Sequence, residues 1–182
     1  MNVLYVFSGK TGSGKTSLSK PFATSKGLKW TSFGSAVRAE AIRVGLPHDD
    51  KRTLQILGQQ LVTLEAERFC NLVLDPLRTE SGIVGVLDGL RHRSIFDCLG
   101  RQVGSGQMKL IFVEVDDELR HQRLSTNRGW SAEQCREYDN DPTEWELDSG
   151  LRPLAHCVVV NSDTPESALA QIETWHHECS VQ

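Results

Sequence analysis

The chain has 182 residues, of which 20 are Lys or Arg and 24 are Asp or Glu, so its formal net charge is −4. At roughly 150 residues per domain, this length predicts a single domain. The hydrophobic fraction of 38% and the charged fraction of 24% are ordinary for a soluble chain, and the near-average content of 15 Gly and 6 Pro excludes a disordered or collagen-like chain. The negative balance argues against a protein that mainly coats nucleic acid or an anionic membrane, so we do not expect a nucleic-acid partner.

The N-terminal residues carry no export signal. No basic residue precedes the first apolar run, which is also too short for a signal peptide. No apolar run approaches the ~20 residues that cross a bilayer. The cysteines are odd in number, lie far apart and include no CxxC pair, which predicts reduced thiols. The sequence therefore predicts a cytoplasmic protein without a membrane partner.

Short apolar runs alternate with helix-like segments along the chain. The apolar runs predict five strands, which are Val3–Phe7, Leu28–Phe33, Ile83–Leu87, Leu110–Val115 and Cys157–Val160. Helical periodicity and boundary residues predict helices over Thr16–Phe22, Ser35–Val44, Leu54–Leu74, His92–Val103, Asp117–Leu124 and Pro165–Cys179. Strands that alternate with helices predict an α/β fold, in which helices cover both faces of a parallel sheet.

The polar segment 126–152 is the predicted excursion from this core. It is rich in turn-forming residues, and its acids fit either a lid or a solvated loop, of which we favour the loop; they are Asp139, Asp141, Glu144 and Glu146. No internal repeat, linker or low-complexity tract divides the chain. Residues 1–182 are therefore expected to fold as one domain.

A glycine-rich segment lies between the first predicted strand and the first predicted helix. Gly9–Thr16 (GKTGSGKT), which we call the P-loop, matches G-x-x-x-x-G-K-[ST] at every specified position. Glycines let a backbone wrap around phosphate oxygens, and the following helix N-terminus favours an anion. Lys15 would contact the β- and γ-phosphates, and the Thr16 hydroxyl would bind Mg²⁺. The predicted nucleotide-binding residues are Gly9, Lys10, Thr11, Gly12, Ser13, Gly14, Lys15 and Thr16.

A phosphate-bound Mg²⁺ needs a carboxylate in addition to the Thr16 hydroxyl. Two acids follow apolar strands, namely Asp88 after Val84–Leu87 and Asp116 after Ile111–Val115. Asp116 opens a run of acids at the start of a predicted helix, where acids complement the helix dipole. We therefore predict that Asp88 is the acid that binds the metal.

Three classes of protein use such a loop. A GTPase reads guanine with an N/T-K-x-D segment, and the sequence contains none. An ATP-driven motor needs a carboxylate base beside its metal-binding acid, where this chain has Gly89. A small-molecule kinase needs an acceptor pocket and cations over the donor phosphates. The sequence favours the kinase, and an ATPase that acts as a nucleotide-dependent switch is the alternative.

The arginines supply the cations that a kinase requires. Arg38 and Arg91 follow the second and third predicted strands, whose carboxyl ends face the ligand crevice of an open α/β sheet. They are predicted to bind the acceptor. Arg120 and Arg123 share one face of a predicted helix, and with Arg128 they are predicted to close on the transferred phosphoryl group. The predicted catalytic residues are Lys15, Asp88, Arg120, Arg123 and Arg128.

Three stretches of the sequence resemble one branch of the P-loop proteins. Val6–Thr16, Thr31–Arg38 and Leu87–His92 are similar to the nucleoside monophosphate kinase-like family, and within it to small bacterial proteins labelled AAA-family ATPase or dephospho-CoA kinase-like. Val158–Asn161 resembles the last strand of that group and its adenine-side loop, which implies that Asn161 contacts the nucleotide. The resemblance implies ATP and Mg²⁺ as cofactors.

The same resemblance implies an architecture. It consists of a three-layer P-loop NTPase fold with five parallel strands, an acceptor-binding helical region at about 35–75 and a small lid at about 126–150. The substrate does not follow from the resemblance, and neither does the oligomeric state.

One departure from the family pattern bears on the acceptor. Dephospho-CoA kinases carry an Asp-x-Asp just after the second strand, where this chain has Ser32-Phe33-Gly34-Ser35. A hydroxyl acceptor needs a carboxylate base, whereas an acceptor phosphate is already anionic at neutral pH. The sequence therefore favours a small-molecule phosphate acceptor such as a nucleoside monophosphate. A hydroxyl acceptor such as dephospho-CoA is the alternative, with Asp88 as its base.

Overall fold

A parallel sheet forms the centre of the molecule. A computed structural model describes residues 2–180, with the side chains of that range except those of residues 142, 143 and 180. The strands are β1 (Val3–Ser8), β2 (Trp30–Ser32), β3 (Arg78–Thr79), β4 (Gly82–Leu90), β5 (Met108–Glu114) and β6 (Cys157–Val160). Five of them run parallel in the order β2-β4-β1-β5-β6, and β3 pairs antiparallel with β4. The predicted parallel sheet is confirmed, and β3 is an addition that the sequence did not predict.

Helices cover both faces of the sheet. Along the chain they are α1 (Lys15–Ser25), α2 (Phe33–Arg43), α3 (Lys51–Leu64), α4 (Ala66–Leu74), α5 (Arg93–Val103), α6 (Asp117–Arg128), α7 (Ala132–Asp139), α8 (Pro142–Glu146) and α9 (Pro165–Ser180). Side chains alternate along β1, so that Leu4 and Val6 pack with α2–α5, and Phe7 packs with α1 and α9 on the opposite face. The predicted three layers are therefore confirmed. In the range 2–180, no helix combines the length and apolar character needed to cross a bilayer.

The single helix predicted over Leu54–Leu74 is wrong, because the chain forms α3 and α4 there. The break is at Glu65, whose φ of −135° and ψ of 39° are not helical. Leu57 and Leu61 are buried on α3. The buried residues of α4 are Phe69, Cys70, Val73 and Leu74. At 3.6 residues per turn, the two sets would lie on nearly opposite sides of one continuous helix, and the break turns both toward the core.

The polar segment 126–152 forms helices rather than an irregular loop. α7 starts with a capping box, in which Ser131 Oγ accepts from the Gln134 N–H at 3.2 Å and Gln134 Oε1 accepts from the Ser131 N–H at 2.9 Å. After α8, the π-helical turn Leu147–Leu151 brings two leucines into the core, and both are fully buried. The end of the segment is therefore anchored by Leu147 and Leu151.

Glu40 links α2 to α4 from a buried position. Arg43 Nε and Nη2 donate to its carboxylate oxygens at 2.8 and 2.6 Å, and Arg68 adds a further hydrogen bond from α4. The hydrogen bonds from Arg43 have the largest effect on the pKa of Glu40, which falls to about 2 despite burial. Glu40 is therefore ionised at neutral pH.

Replacing Glu40 by glutamine is expected to destabilise the fold at neutral pH by about 1 kcal/mol, because both arginines are partly exposed and solvent screens the pairs. Folding lowers the pKa of Glu40, so its contribution is complete above the ordinary value of 4.5 and is lost as the pH falls toward about 2. Urea unfolding at pH 7 and pH 3 measures this, with the exposed Glu80→Gln as the control. A difference in the free energy of unfolding between wild type and Glu40→Gln that is as large at pH 3 as at pH 7 would contradict the lowered pKa of Glu40.

Candidate functional site

The P-loop connects β1 to α1 in a tightly wrapped conformation. Gly9, Gly12 and Gly14 have φ values of 134°, 87° and 86°, in the region that favours glycine. A Cβ at Gly9 would lie 2.3 Å from the Val113 carbonyl oxygen, and one at Gly14 would lie 2.3 Å from Asn161 Nδ2. Conformation and space therefore both require glycine in this loop.

Lys15 lies at the first position of α1 with its side chain folded under the P-loop. Its Nζ donates to the Lys10 carbonyl oxygen at 2.8 Å. Burial and, to a lesser extent, the nearby positive charge of Arg91 together lower the pKa of Lys15 to about 7, against the attraction of Asp88. An ammonium group in these surroundings lacks sufficient counter-charge, so an anion bound at the loop would stabilise its protonated form.

Thr16 and Asp88 form the pair that the sequence predicts as a metal site. Parallel pairing of β1 with β4 sets Phe7 opposite Asp88, which brings this acid to the start of the loop. The Thr16 hydroxyl donates to Asp88 Oδ2 at 2.6 Å. Asp88 Oδ1 is buried and makes no hydrogen bond with the residues that the structure describes. Burial raises the pKa of Asp88, against the effects of Thr16 and Lys15.

This pair fits Mg²⁺ in its chemistry. A hydroxyl and a carboxylate are the hard oxygen donors that Mg²⁺ takes beside phosphate oxygens, and the unbonded Asp88 Oδ1 leaves one donor atom free. The rival acid, Asp116, lies elsewhere: it accepts from the Ser162 hydroxyl at 3.1 Å and lines a separate cavity with Lys10. The structure thus separates the two candidate acids and sets Asp88 beside Thr16.

Two cavities meet at the carboxyl edge of the sheet. One, of about 720 Å³, contains Lys15, Thr16 and Asp88, and we call it the P-loop cavity. The other, of about 470 Å³, lies between α2 and α3, and we call it the α2–α3 cavity. The residues that line both are Gly34, Lys51, Gly89, Arg91 and Tyr138. The two cavities are therefore parts of one cleft, with cations at their junction.

The α2–α3 cavity has an apolar floor and polar walls. Its apolar lining residues include Phe33, Val37, Leu54, Val62, Phe69, Leu90 and Ile95. Its polar and charged lining residues include Arg38, Asp49, Gln55, Gln59, His92 and Asp141. Much of this lining comes from the region of about 35–75 that the sequence predicts to bind the acceptor.

Arg91 stands at the junction and is held by its neighbours. Its Nη1 donates to Glu144 Oε1 at 2.5 Å, and its Nη2 donates to the Thr11 hydroxyl. Glu144 Oε2 in turn accepts from the Thr11 N–H at 3.4 Å. Glu144 is 1% exposed, so its assignment to a solvated loop is wrong. The sequence missed this residue because an acid in a polar segment carries no signal of burial.

The three arginines predicted to close on the phosphoryl group separate in the structure. Arg123 and Arg128 line the P-loop cavity, and Arg123 Nη1 is buried without a hydrogen-bond partner among the described residues. Arg120 is fully buried instead, where it donates to Asp117 at 2.9 Å and Asp139 at 2.5 Å. Its Nη1 also reaches the Thr11 carbonyl oxygen at 3.4 Å. Two carboxylates therefore hold Arg120 behind the P-loop. The predicted position of Arg120 at the phosphoryl group is corrected, because the side chain supports the loop from behind.

Three other predicted site residues have distinct positions. Arg38 lines the α2–α3 cavity, where its Nε donates to the His48 carbonyl oxygen at 3.3 Å. Asn161 is buried and its Nδ2 donates to the Ser13 carbonyl oxygen at 2.8 Å. Lys10 Nζ pairs with Asp148 at 3.0 Å, outside the P-loop cavity. Asn161 therefore braces the loop itself, whereas Arg38 is free to meet a ligand.

Lys51 is a cation that the sequence reasoning missed. It is the first residue of α3, and its Nζ lies 4.1 Å from the centroid of the Trp130 ring. Nothing in the local sequence marks this lysine, because both its aromatic neighbour and the cleft belong to distant parts of the chain.

The comparisons with known proteins identify the fold. No protein-family model matches the chain, and no curated protein matches its sequence. Among solved structures, a shikimate kinase from Acinetobacter baumannii has a TM-score of 0.64 at 15% identity, over 99% of this chain and 95% of that one. A sugar kinase from Janibacter sp. HTCC2649 has a TM-score of 0.62 at 16% identity, over 97% and 95%.

A gluconokinase from Sinorhizobium meliloti 1021 has a TM-score of 0.61 at 14% identity, over 98% of this chain and 93% of that one. Each alignment spans nearly the whole of both chains, so the likeness concerns the complete architecture. Identities this low show the fold alone. The chain therefore has the α/β fold of P-loop kinases.

Proposed function

We propose that the protein is an ATP- and Mg²⁺-dependent phosphotransferase whose acceptor is a phosphate-bearing small molecule, as in a nucleoside monophosphate kinase. The observation that carries this proposal is the single cleft formed by the P-loop cavity and the α2–α3 cavity, with Lys51 and Arg91 at their junction. Donor and acceptor would meet where the two cavities join.

The donor side is assigned from the P-loop cavity. The ATP phosphates would lie along the loop, where Lys15, Arg123 and Arg128 neutralise their oxygens. Thr16 and Asp88 would hold Mg²⁺, which when bound offsets charge on the β- and γ-phosphates. An acceptor oxygen attacks the γ-phosphorus in line, the bond to the β–γ bridging oxygen breaks, and ADP leaves. The contribution of the chain is position and charge.

The residues on the acceptor side of the cleft favour an acceptor that is already anionic and needs no general base. Asp88 is the acid that lines the P-loop cavity among the described residues, and the Thr16 hydroxyl already donates to it. Ser32 and Ser35 form a capping box at the start of α2, so the segment that carries Asp-x-Asp in dephospho-CoA kinases serves here to begin a helix. Arg38, Lys51 and Arg91 instead supply cations suited to a phosphate.

The shape of the α2–α3 cavity supports a nucleoside monophosphate. Its volume of about 470 Å³ and apolar floor accommodate a flat ring, and Gln55 and Gln59 offer amide groups one helical turn apart to hydrogen-bond its edge. A small sugar acid would leave the apolar floor uncovered.

A panel of acceptors tests the proposal. Nucleoside monophosphates, nucleosides, dephospho-CoA, gluconate and shikimate are each incubated with Mg²⁺–ATP, and ADP release is followed. We expect one or more monophosphates to raise ADP release at least ~10-fold. A panel in which no compound does so overturns the proposal. Turnover raised by a protein and by no small molecule would instead identify the switch ATPase.

A hydroxyl kinase is the second candidate, because Asp141 lines the α2–α3 cavity and is close enough to Arg91 to help raise the pKa of that guanidinium. In this case Asp141 would remove the proton of the acceptor hydroxyl. Activity with a compound that lacks phosphate, and its loss in Asp141→Asn, would favour this candidate over the first.

Replacing Arg91 by lysine is expected to raise the KM for the acceptor at least ~10-fold and to change the Kd of ATP less than ~2-fold. Lysine keeps the charge but cannot bond Glu144 and Thr11 while presenting a planar fork to a phosphate. Steady-state kinetics and direct ATP titration separate the two quantities. Weaker ATP binding with an unchanged acceptor KM would assign Arg91 to the donor side.

A further inference from the structure

Lys51 connects the α2–α3 cavity to the segment of about 126–150. Asp50 caps α3 by accepting the Thr53 N–H at 2.7 Å, which fixes the backbone from which Lys51 extends. Its Nζ lies 4.1 Å from the Trp130 ring centroid and 5.6 Å from that of Tyr138. The two rings are themselves in contact, with centroids 5.1 Å apart. One side chain of α3 therefore joins two aromatic residues of the predicted lid.

The charge around these rings is unbalanced. The Arg91 guanidinium lies 5.8 Å from the Tyr138 centroid, so this ring has Lys51 and Arg91 as cationic neighbours. Arg91 is bonded to Glu144, whereas Lys51 Nζ lies over the two aromatic rings. Aromatic faces attract a cation more weakly than a carboxylate or phosphate does. An anion at the junction of the two cavities would therefore meet Lys51 already in place, held there by aromatic faces that attract it less strongly than a phosphate would.

We propose that Lys51 is a specificity-determining residue that binds the anionic group of the acceptor together with Arg91, and that its contact with Trp130 transmits acceptor binding to the lid. The inference rests on the proposed function, because it takes the α2–α3 cavity as the acceptor site. A phosphate between Lys51 and Arg91 draws the two cations together and keeps Lys51 beneath Trp130. The segment that carries Trp130 also contributes Arg128 to the P-loop cavity.

A consequence is coupling between acceptor and donor. If acceptor binding through Lys51 holds the lid over the P-loop cavity, the acceptor tightens nucleotide binding, and the nucleotide tightens acceptor binding by the same factor. Removing Lys51 then weakens acceptor binding and abolishes this coupling. We expect little change in nucleotide binding without acceptor, because the contacts of Lys51 that the structure shows are with the rings of Trp130 and Tyr138, whereas Lys15 and Thr16 are the residues proposed to hold the donor.

The test measures binding by calorimetry. Individual nucleoside 5′-monophosphates are titrated into the full-length protein saturated with Mg²⁺–ADP, and ADP is titrated separately without monophosphate. For the monophosphate that wild type binds, we expect Lys51→Met to raise Kd at least ~10-fold with less than ~2-fold change for ADP. Lys51→Arg should stay within ~3-fold of wild type, since arginine keeps the charge and also stacks on aromatic rings.

Two further variants make the test specific. Arg52 is the charged residue next to Lys51 on α3, and Arg52 lines neither cavity. Arg52→Met should therefore leave all affinities unchanged. Trp130→Leu should abolish the mutual tightening of ADP and monophosphate. Thermal unfolding checks that each variant is folded.

The contrary results are distinct. A Lys51→Met protein that binds the monophosphate as tightly as wild type, or an equal loss in Arg52→Met, overturns the role of Lys51 and leaves the proposed function standing. If wild type itself binds no monophosphate, the proposed function fails, and the role of Lys51 fails with it.

Discussion

Lys15→Met is expected to reduce phosphotransfer by about 10³-fold and, at the same time, to raise the stability of the nucleotide-free protein. The activity falls because methionine cannot neutralise charge that develops on the transferred group. The stability rises because methionine fills the same space without a partly buried ammonium group, whose pKa burial lowers to about 7. We expect a gain of about 1–2 kcal/mol near neutral pH.

The pH dependence of this gain has a definite sign. Below pH 7, the Lys15 side chain is protonated in both the folded and the unfolded chain. The full free-energy cost of burying its charge is then present. Between about 7 and the ordinary value of 10.5, the folded chain releases the proton first, so wild-type stability rises with pH. The advantage of Lys15→Met should therefore shrink from pH 6.5 to pH 9.5.

Thermal unfolding of both proteins without nucleotide measures this effect. Lys29→Met, at an exposed position, is the control and should show neither effect. An advantage that grows with pH would contradict the lowered pKa of Lys15. An active Lys15→Met protein would show that Lys15 is not the cation at the phosphates.

Asp88→Asn is expected to lower kcat by about 10²–10³-fold and to increase the Mg²⁺ concentration required for half-maximal rate. In the wild-type protein, the Thr16 hydroxyl donates to Asp88 at 2.6 Å. The amide oxygen of asparagine can accept the same hydrogen bond, so the local fold should persist. What is lost is the negative charge that a divalent cation requires.

Asp116→Asn is the matched control, because Asp116 was the rival acid in the sequence and lies in a different cavity. Its activity should stay within about 3-fold of wild type, as expected for a group without contact to the donor phosphates. Initial rates over a Mg²⁺ titration compare the two variants. Full activity in Asp88→Asn together with loss in Asp116→Asn would reassign the metal-binding acid.

The features that sequence reasoning predicted have local causes. The need for glycine in the P-loop can be predicted from the motif itself, and the positive φ values of Gly9, Gly12 and Gly14 agree with this prediction. Asp88 was identified from its place at the end of an apolar run, and parallel pairing of β1 with β4 then puts it beside the loop. The strands were predictable because each is a short apolar run between turn residues.

The features that were missed depend on packing between distant segments. Glu144 meets Arg91 across 53 positions and is buried only because α8 lies against the P-loop. Helical spacing correctly puts Arg120 and Arg123 on neighbouring positions of α6, but it cannot indicate that Asp139 of α7 holds Arg120 inside the fold. The same limit applies to Lys51, whose contact with Trp130 depends on where the fold places that ring.

The hydrogen bond from Asn161 to Ser13 spans 148 positions of the chain. Ribosomes add about 5–20 residues per second, so the glycine loop emerges many seconds before the asparagine that braces it. Through that interval, a nascent chain has the glycine loop without the asparagine that braces it. If the loop binds a nucleotide as proposed, the braced form of its site exists only at the end of synthesis, when β6 joins the sheet.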